Sequence, residues 1–331
     1  MTTILVSEVG PRDGLQSLAR AMPTEAKVRW VRALAAAGLR EIEVGSFVDP
    51  RRLPQMADAA EVVRAARAIP GLAVLALAPN LRGVERAAEA GAHRVTMPVS
   101  ASESHSLANI GLTRDAAVAE VARARAYLDA LPAGARPGLE VGVSTAFGCT
   151  IEGRVEEDDV IALAVRLARA GAESVGLSDG VGLANPVQVR RMFVRLRSEL
   201  GDRAGGAHLH DTRGQGLANA LAALDAGVTT LDSSQGGLGG CPYSPGATGN
   251  VATEDLVWML ESMGLDTGVD LDALADARAV LEDALPGEAL RGGVALAGVG
   301  PGFRYAARLG EAVPPGAGRS RRATAAAGLA A

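Results

Sequence analysis

Two of the chain's four histidines stand one residue apart, as His208-Leu209-His210. The run Gly206–His210 reads as a β-strand, and side chains two apart on a strand share a face, so both imidazoles can reach one cation. Asp211 follows directly. Asp13 lies in Gly10-Pro11-Arg12-Asp13-Gly14, just after another short β-rich run. Two polar residues facing a solvated mouth are the alternative reading of the histidine pair; the neighbouring carboxylates favour a metal. Two imidazoles and one carboxylate leave coordination positions for substrate oxygens and suit Mg²⁺ or Mn²⁺, with Zn²⁺ also compatible. Arg12 keeps its proton under working conditions, so it can stabilise a developing enolate oxygen without titrating.

Lysine is nearly absent, and Lys27 is the only one. A covalent imine mechanism needs a lysine at an inner strand end, whereas Lys27 falls in the first helical stretch. The electron sink is therefore expected to be a metal. Cys241 sits in GLGGCPYSPGATGN, which ends at Asn250; its flanking glycines suggest a mobile lid that brings a thiol inward. Cys149 reads as a packing residue, His93 as a helix–strand junction and His105 as a loop residue near the mouth.

The elements that must position these groups alternate along the whole chain. β-rich runs are expected at Thr3–Glu8, Glu41–Val44, Ala73–Leu77, His93–Met97, Leu139–Ser144, Ser174–Leu177, Gly206–His210 and Thr229–Asp232, with helical stretches between them. Phrases such as AEAGAHRV and ARAGAESV place a glycine at a helix C-terminus just before the next strand. Eight such units in this length predict an α/β fold, a closed (β/α)₈ TIM barrel with additional C-terminal helices at Glu254–Met263 and Leu271–Leu285. An open doubly wound sheet would want a glycine-rich phosphate turn after its first strand, and GPRDGLQ is not one. The expected organisation is one catalytic domain over 1–285, followed by a Gly-rich extension over 286–331 whose tail, from about Glu311, is expected to be flexible. In such a barrel the chemistry belongs at the C-terminal strand ends, where Arg12, Asp13, Glu43, Asp179, His208 and His210 all fall.

The 331 residues are 48% apolar but only 3% aromatic, with a formal net charge of −5. This argues against nucleic acid or an anionic membrane surface as the partner. No apolar run is long enough for a bilayer, no signal peptide is evident, and two cysteines make no disulfide framework; a cytoplasmic protein is expected.

The segments EVGPRDGLQ (8–16), EIEVGSFVDPRRLPQMAD (41–58), HLHDTRGQGLAN (208–219) and DSSQGGLGGCPYSPGATGNVATEDLVWMLE (232–261) resemble the 3-hydroxy-3-methylglutaryl-CoA lyase family. That family belongs to the metal-dependent barrel superfamily that also holds the isopropylmalate and homocitrate synthases. The resemblance covers roughly residues 3–270, and the Cys241 loop is its most specific part. It implies an acyl-CoA substrate, Asp13, His208 and His210 as metal ligands, and Asn250 completing or supporting the set. It also implies Arg12 at the enolate, Cys241 as acid/base, Glu43 and Asp179 orienting the site, and Gln16 facing substrate. The implied reaction is retro-Claisen cleavage to acetyl-CoA and acetoacetate, the step known from leucine catabolism. Departures are Ser17-Leu18 where Asn-Glu is common, FGCTIEG after the fifth strand, and Gly45 and Gly180 where threonine is common. Loss of bulk at the two glycines would admit another acyl side chain. Alternatives are therefore a lyase for citramalyl-CoA or a prenyl-derived glutaryl-CoA, a Claisen-type synthase, or a non-catalytic binding barrel. Residues 271–305 are a candidate homodimer face.

Overall fold

The computed structural model describes residues 2–240 and 249–308. Eight parallel strands close into a barrel in sequence order: β1 (Leu5–Glu8), β2 (Glu41–Ser46), β3 (Ala73–Leu77), β4 (Arg94–Ser100), β5 (Gly138–Ser144), β6 (Ser174–Asp179), β7 (Ala204–Leu209) and β8 (Thr230–Ser233). Closure is made by β1 against β8, with Leu5 beside Thr230 and Glu8 beside Ser233. The ring of helices comprises α1 (Thr24–Ala36), α2 (Ala59–Arg67), α3 (Leu81–Ala90), α4 (Glu103–Ile110), α5 (Arg114–Asp129), α6 (Glu157–Arg169), α7 (Pro186–Leu200) and α8 (Gly216–Asp225). After the barrel come α9 (Thr253–Ser262), α10 (Leu271–Ala284) and the short α11 (Gly293–Ala297). No described helix is long and apolar enough to cross a membrane.

The strands alternate, and the two faces differ in kind. Outward residues such as Val6, Ile42, Val74, Val95, Leu139, Val175 and Leu231 are buried against the helices and make the main hydrophobic core. Inward positions carry Ser7, Glu41, Glu43, Thr96, Glu140, Gly142, Ser174, Ser178, His208, Thr230 and Asp232, all lining one cavity of about 1350 Å³. A TIM barrel ordinarily fills this space with bulky branched residues. Here small and charged side chains leave it open, so the stability lies in the layer between strands and helices and the interior is free for chemistry.

Several boundaries shift from the sequence reading. The fourth strand begins after His93, whose Nδ1 accepts from the Val74 N–H at 2.9 Å, and runs on through Pro98 to Ser100. The seventh ends at Leu209, and His210 instead forms an isolated bridge with Asn250. The glycine-rich stretch after α10 holds α11, which packs on α9, while α10 packs on α1. Residues 286–308 are tied to the barrel: the Arg291 N–H donates to the Gly236 carbonyl at 2.7 Å, and the Ala306 N–H donates to Glu261 at 2.7 Å. The tail expected to be flexible lies outside the described residues.

Candidate active site

Asp13 reaches the barrel axis because residues Gly10–Gly14 wind into a single π-type turn. In it the N–H groups of Arg12, Asp13 and Gly14 all point at the Val9 carbonyl, at 3.1, 2.7 and 3.4 Å. Pro11, which has no N–H to place, sits at the start of the turn. Glu8 holds the turn from below. Its Oε1 accepts from the N–H groups of Gly10 (2.8 Å) and Gln235 (3.0 Å), and its Oε2 accepts from the Thr253 hydroxyl (2.6 Å). One buried carboxylate thus joins the end of β1 to the segment after β8. Gly10 has no room for a side chain, since a Cβ there would lie 2.5 Å from Glu8 Oε1.

Across the mouth, His208 and His210 face the same way, with their Nε2 atoms 3.2 Å apart. Asp13 Oδ2 lies 3.6 Å from His210 Nε2 and 3.9 Å from His208 Nε2. Three ligand atoms therefore converge on one point, and they form the described residues' candidate metal group. Asp13 follows β1, and β8 lies between β1 and β7; the π-type turn carries the carboxylate across. Asn250 Nδ2 donates to Asp13 Oδ2 at 2.7 Å and to the Leu238 carbonyl at 3.0 Å. Its Oδ1 is buried without a partner among the described residues, the state of an oxygen donor available to a cation. The donor set of hard oxygens and imidazole nitrogens fits a divalent ion.

Arg12 lies flat against two carboxylates. Its Nη1 donates to Asp13 Oδ1 at 2.6 Å and its Nε pairs with Glu43 Oε2. Burial works against the charge on Arg12, but Glu43, Asp13 and Asp232 overcome it and raise its pKa further. Burial likewise opposes ionisation of Asp13, yet Arg12 and the two histidines hold its carboxyl well below the usual carboxylate range. For Glu43 burial wins over Arg12 and the pKa rises. Gln16 donates to Asp13 Oδ1 at 3.1 Å and lines the cavity.

Asp232, which the sequence reading passed over, stands behind His208 with Oδ2 3.0 Å from Nδ1. A carboxylate there fixes the proton on Nδ1 and turns the Nε2 lone pair toward the metal point. Burial depresses the His208 pKa, and the hydrogen bond to Asp232 with the charges of Asp13 and Asp232 more than reverses this. The available signal was positional: Asp232 is an inward residue at the C-terminal end of β8. Glu8 offered no comparable signal, because its partners other than Gly10 lie more than 200 residues away.

Two carboxylates of the sequence reading serve the backbone. Asp179 accepts from the N–H groups of Leu183 (2.9 Å) and Ala184 (2.8 Å), fixing the β6–α7 loop outside the metal group. Asp211 accepts from the Gly216 N–H at 2.6 Å and so starts α8. Lys27 sits on α1 and is absent from the cavity lining, donating to the Gln55 carbonyl and to Asp58, both at 2.6 Å. Cys149 is buried, as a packing residue should be, and His105 lies on α4 with Nδ1 2.7 Å from the Ser100 hydroxyl. Cys241 lies outside the described residues.

The HMGL-like family model matches residues 3–281. The chain belongs to the HMGL-like family. It is 42% identical over 277 residues to the hydroxymethylglutaryl-CoA lyase of Pseudomonas mevalonii, covering 83% of this chain and 90% of the relative. It is also 42% identical over 276 residues to a Pseudomonas aeruginosa lyase named for both 3-hydroxy-3-isohexenylglutaryl-CoA and hydroxymethylglutaryl-CoA, covering 82% and 89%. Among solved structures, the HMG-CoA lyase of Acinetobacter baumannii in complex with coenzyme A and 3-methylmalate superposes with a TM-score of 0.84 at 38% identity, covering 89% of this chain and 95% of that one. The departures of this HMGL-like chain from the usual motifs divide: Ser17, Leu18 and Gly180 line the cavity, and Gly45 does not.

Proposed function

We propose that this chain cleaves 3-hydroxy-3-methylglutaryl-CoA into acetyl-CoA and acetoacetate. The observation that carries the reading is the convergence of Asp13, His208 and His210 beside Arg12 in the open interior of an HMGL-like barrel. Asp13, His208 and His210, with Asn250 in support, would hold a divalent cation, Mg²⁺ or Mn²⁺, which would supply Lewis acidity to a substrate oxygen. The substrate's C3 hydroxyl gives up its proton to the Asp13–histidine group, the C2–C3 bond breaks, and its electron pair moves onto C2 as a thioester enolate. C3 is left as the ketone of acetoacetate. Arg12, held flat by Glu43 and Asp13, presents a fixed positive charge to the enolate oxygen. Cys241 returns a proton to C2, giving acetyl-CoA. Asp232 keeps His208 in the tautomer whose Nε2 lone pair faces the cation. The reading extends to a cytoplasmic enzyme on the thioester that leucine breakdown delivers, and to a homodimer through the face that bears the exposed Leu296.

The test is acetyl-CoA release from 3-hydroxy-3-methylglutaryl-CoA with Mg²⁺ or Mn²⁺, run beside chelated protein and the Cys241→Ala variant. Release that stops on chelation and falls by about 10²–10⁴ in the variant is expected. Metal-loaded protein that releases no acetyl-CoA would sink the assignment.

A further inference from the structure

Most glycines in this chain are there because the backbone or a close approach needs them. Gly182 has φ +64°, and a Cβ on it would lie 2.8 Å from Thr212. Gly45 is pinned in another way: a Cβ there would meet Ala59 of α2 at 3.0 Å, on the outside of the barrel. Gly180 is different. It does not have a positive φ, a Cβ built on it meets nothing within 4 Å, and it lines the cavity. Neither conformation nor packing calls for glycine at this position, so what it provides is space.

The position of that space matters. Asp179, the preceding residue, receives the His210 N–H on its carbonyl at 3.2 Å, which sets Gly180 next to the metal group. The Ala146 N–H donates to the Ser178 carbonyl at 3.3 Å, bringing the end of β5 to the same wall. There Thr145 lines the cavity with φ +56°, a conformation a β-branched residue avoids unless its surroundings enforce it. Its hydroxyl accepts from the Ser102 N–H at 3.1 Å and donates to the Ser144 carbonyl at 2.7 Å, which holds that conformation. The wall is also rigid. Asp179 caps Leu183 and Ala184, Arg213 Nη1 donates to the carbonyls of Val181 (3.1 Å) and Gly182 (2.8 Å), and Asn219 Nδ2 donates to the Ala184 carbonyl at 3.2 Å. A pocket held open by its own loop stays open, and Val181 gives it an apolar side. The deeper interior carries Asp232, which disfavours a negative group beside it.

We propose that Gly180 sets the acyl specificity of this site, admitting at C3 of a 3-hydroxyacyl-CoA an uncharged substituent larger than methyl. The inference rests on the lyase reading above and names its substrate class more closely.

The experiment compares wild-type protein, Gly180→Thr and the exposed-turn control Gly134→Thr, each metal-loaded. They are assayed on 3-hydroxy-3-methylglutaryl-CoA and its 3-propyl analogue, and binding of the matching free 3-alkyl-3-hydroxyglutarates is followed by calorimetry. The wild type should cleave the propyl thioester with kcat/KM at least equal to that for the methyl. Gly180→Thr should lower the propyl-to-methyl ratio by about 10- to 200-fold, and the control should leave the ratio where it was. A wild type that prefers methyl, with a ratio unmoved by Gly180→Thr, overturns the proposal. If no thioester is cleaved, the lyase reading fails separately, and the calorimetric ratio decides the role of Gly180: a fall in the variant supports it and an unchanged ratio refutes it.

Discussion

Two charged clusters sit at opposite ends of the same barrel, one buried at the mouth and one with a half-exposed arginine at the floor, and they solve the same electrostatic problem differently. At the mouth, Arg12 faces three carboxylates, Asp13, Glu43 and Asp232, with two imidazoles among them. At the floor, Arg94 Nη1 bridges Glu140 at 2.7 Å and Glu41 at 3.5 Å. Both have more negative than positive groups, and buried charge must be compensated. The floor compensates within itself. Its arginine lies between the carboxylates, and burial, with the Glu41 charge behind it, pushes Glu140 up to about 7 so that it takes a proton. The mouth keeps its arginine to one side and leaves ligand atoms of Asp13, His208 and His210 aimed at a common point. The comparison teaches that a count of buried carboxylates does not identify a ligand site; what does is whether the cluster's own cation occupies the centre.

Breaking the mouth should have the largest effect. Arg12→Gln removes the fixed charge at the enolate and should lower kcat by about 10²–10³. Asp13→Ala, which also removes an anionic ligand, should lower it further and abolish Mn²⁺ binding in calorimetry. An Asp13→Ala protein that binds Mn²⁺ as the wild type does would dissolve the distinction between the two clusters. Next comes the support behind the ligands: Asp232→Asn frees the His208 tautomer and should weaken Mn²⁺ by about 10- to 100-fold. Unchanged affinity would show that Asp232 acts only in packing.

The smallest effect belongs to the floor and should appear in stability alone. Glu140 has a folded pKa of about 7, above its ordinary 4.5, so between those values the folded protein holds a proton that the unfolded chain has lost. Stability therefore falls as pH rises through that window and levels off above it. At about 1.4 kcal/mol per unit the span is at most about 3.5 kcal/mol. Glu140→Gln should reduce this slope in denaturant titrations between pH 5 and about pH 7.5, leaving the part that belongs to Glu8, which burial pushes up to about 8. A slope left unchanged by the substitution would place the Glu140 proton elsewhere.

Much of this was open to reading before any coordinates. Strands alternating with Ala-rich helices and glycine stops specify a barrel, because each unit is local in sequence and the period-2 and period-3.6 patterns are independent of what lies across the fold. The candidate metal group was legible for the same reason: His208 and His210 share a strand face by spacing alone, and Asp13 follows a strand. The single lysine, placed on a helix, was enough to turn the argument away from imine chemistry. The roles of Asp179 and Asp211 were not legible, since a carboxylate at a strand end looks alike whether it serves a ligand or caps the next loop.

Tertiary structure decided what depends on partners distant in the chain. Glu8 clamps the π-type turn to Gln235 and Thr253 only because β1 closes the barrel against β8. Asp232 meets His208 only because β7 and β8 are neighbours. Gly45 and Gly180 look equivalent as sequence positions, but a register shift between Glu43 and Ser46 accompanies a Gly45 whose Cβ direction runs to α2, while Gly180 opens on the cavity. Sequence spacing sets which residues share a face along an undistorted strand; a one-residue bulge or the closure of the sheet changes what that face meets, and neither is encoded in the local pattern.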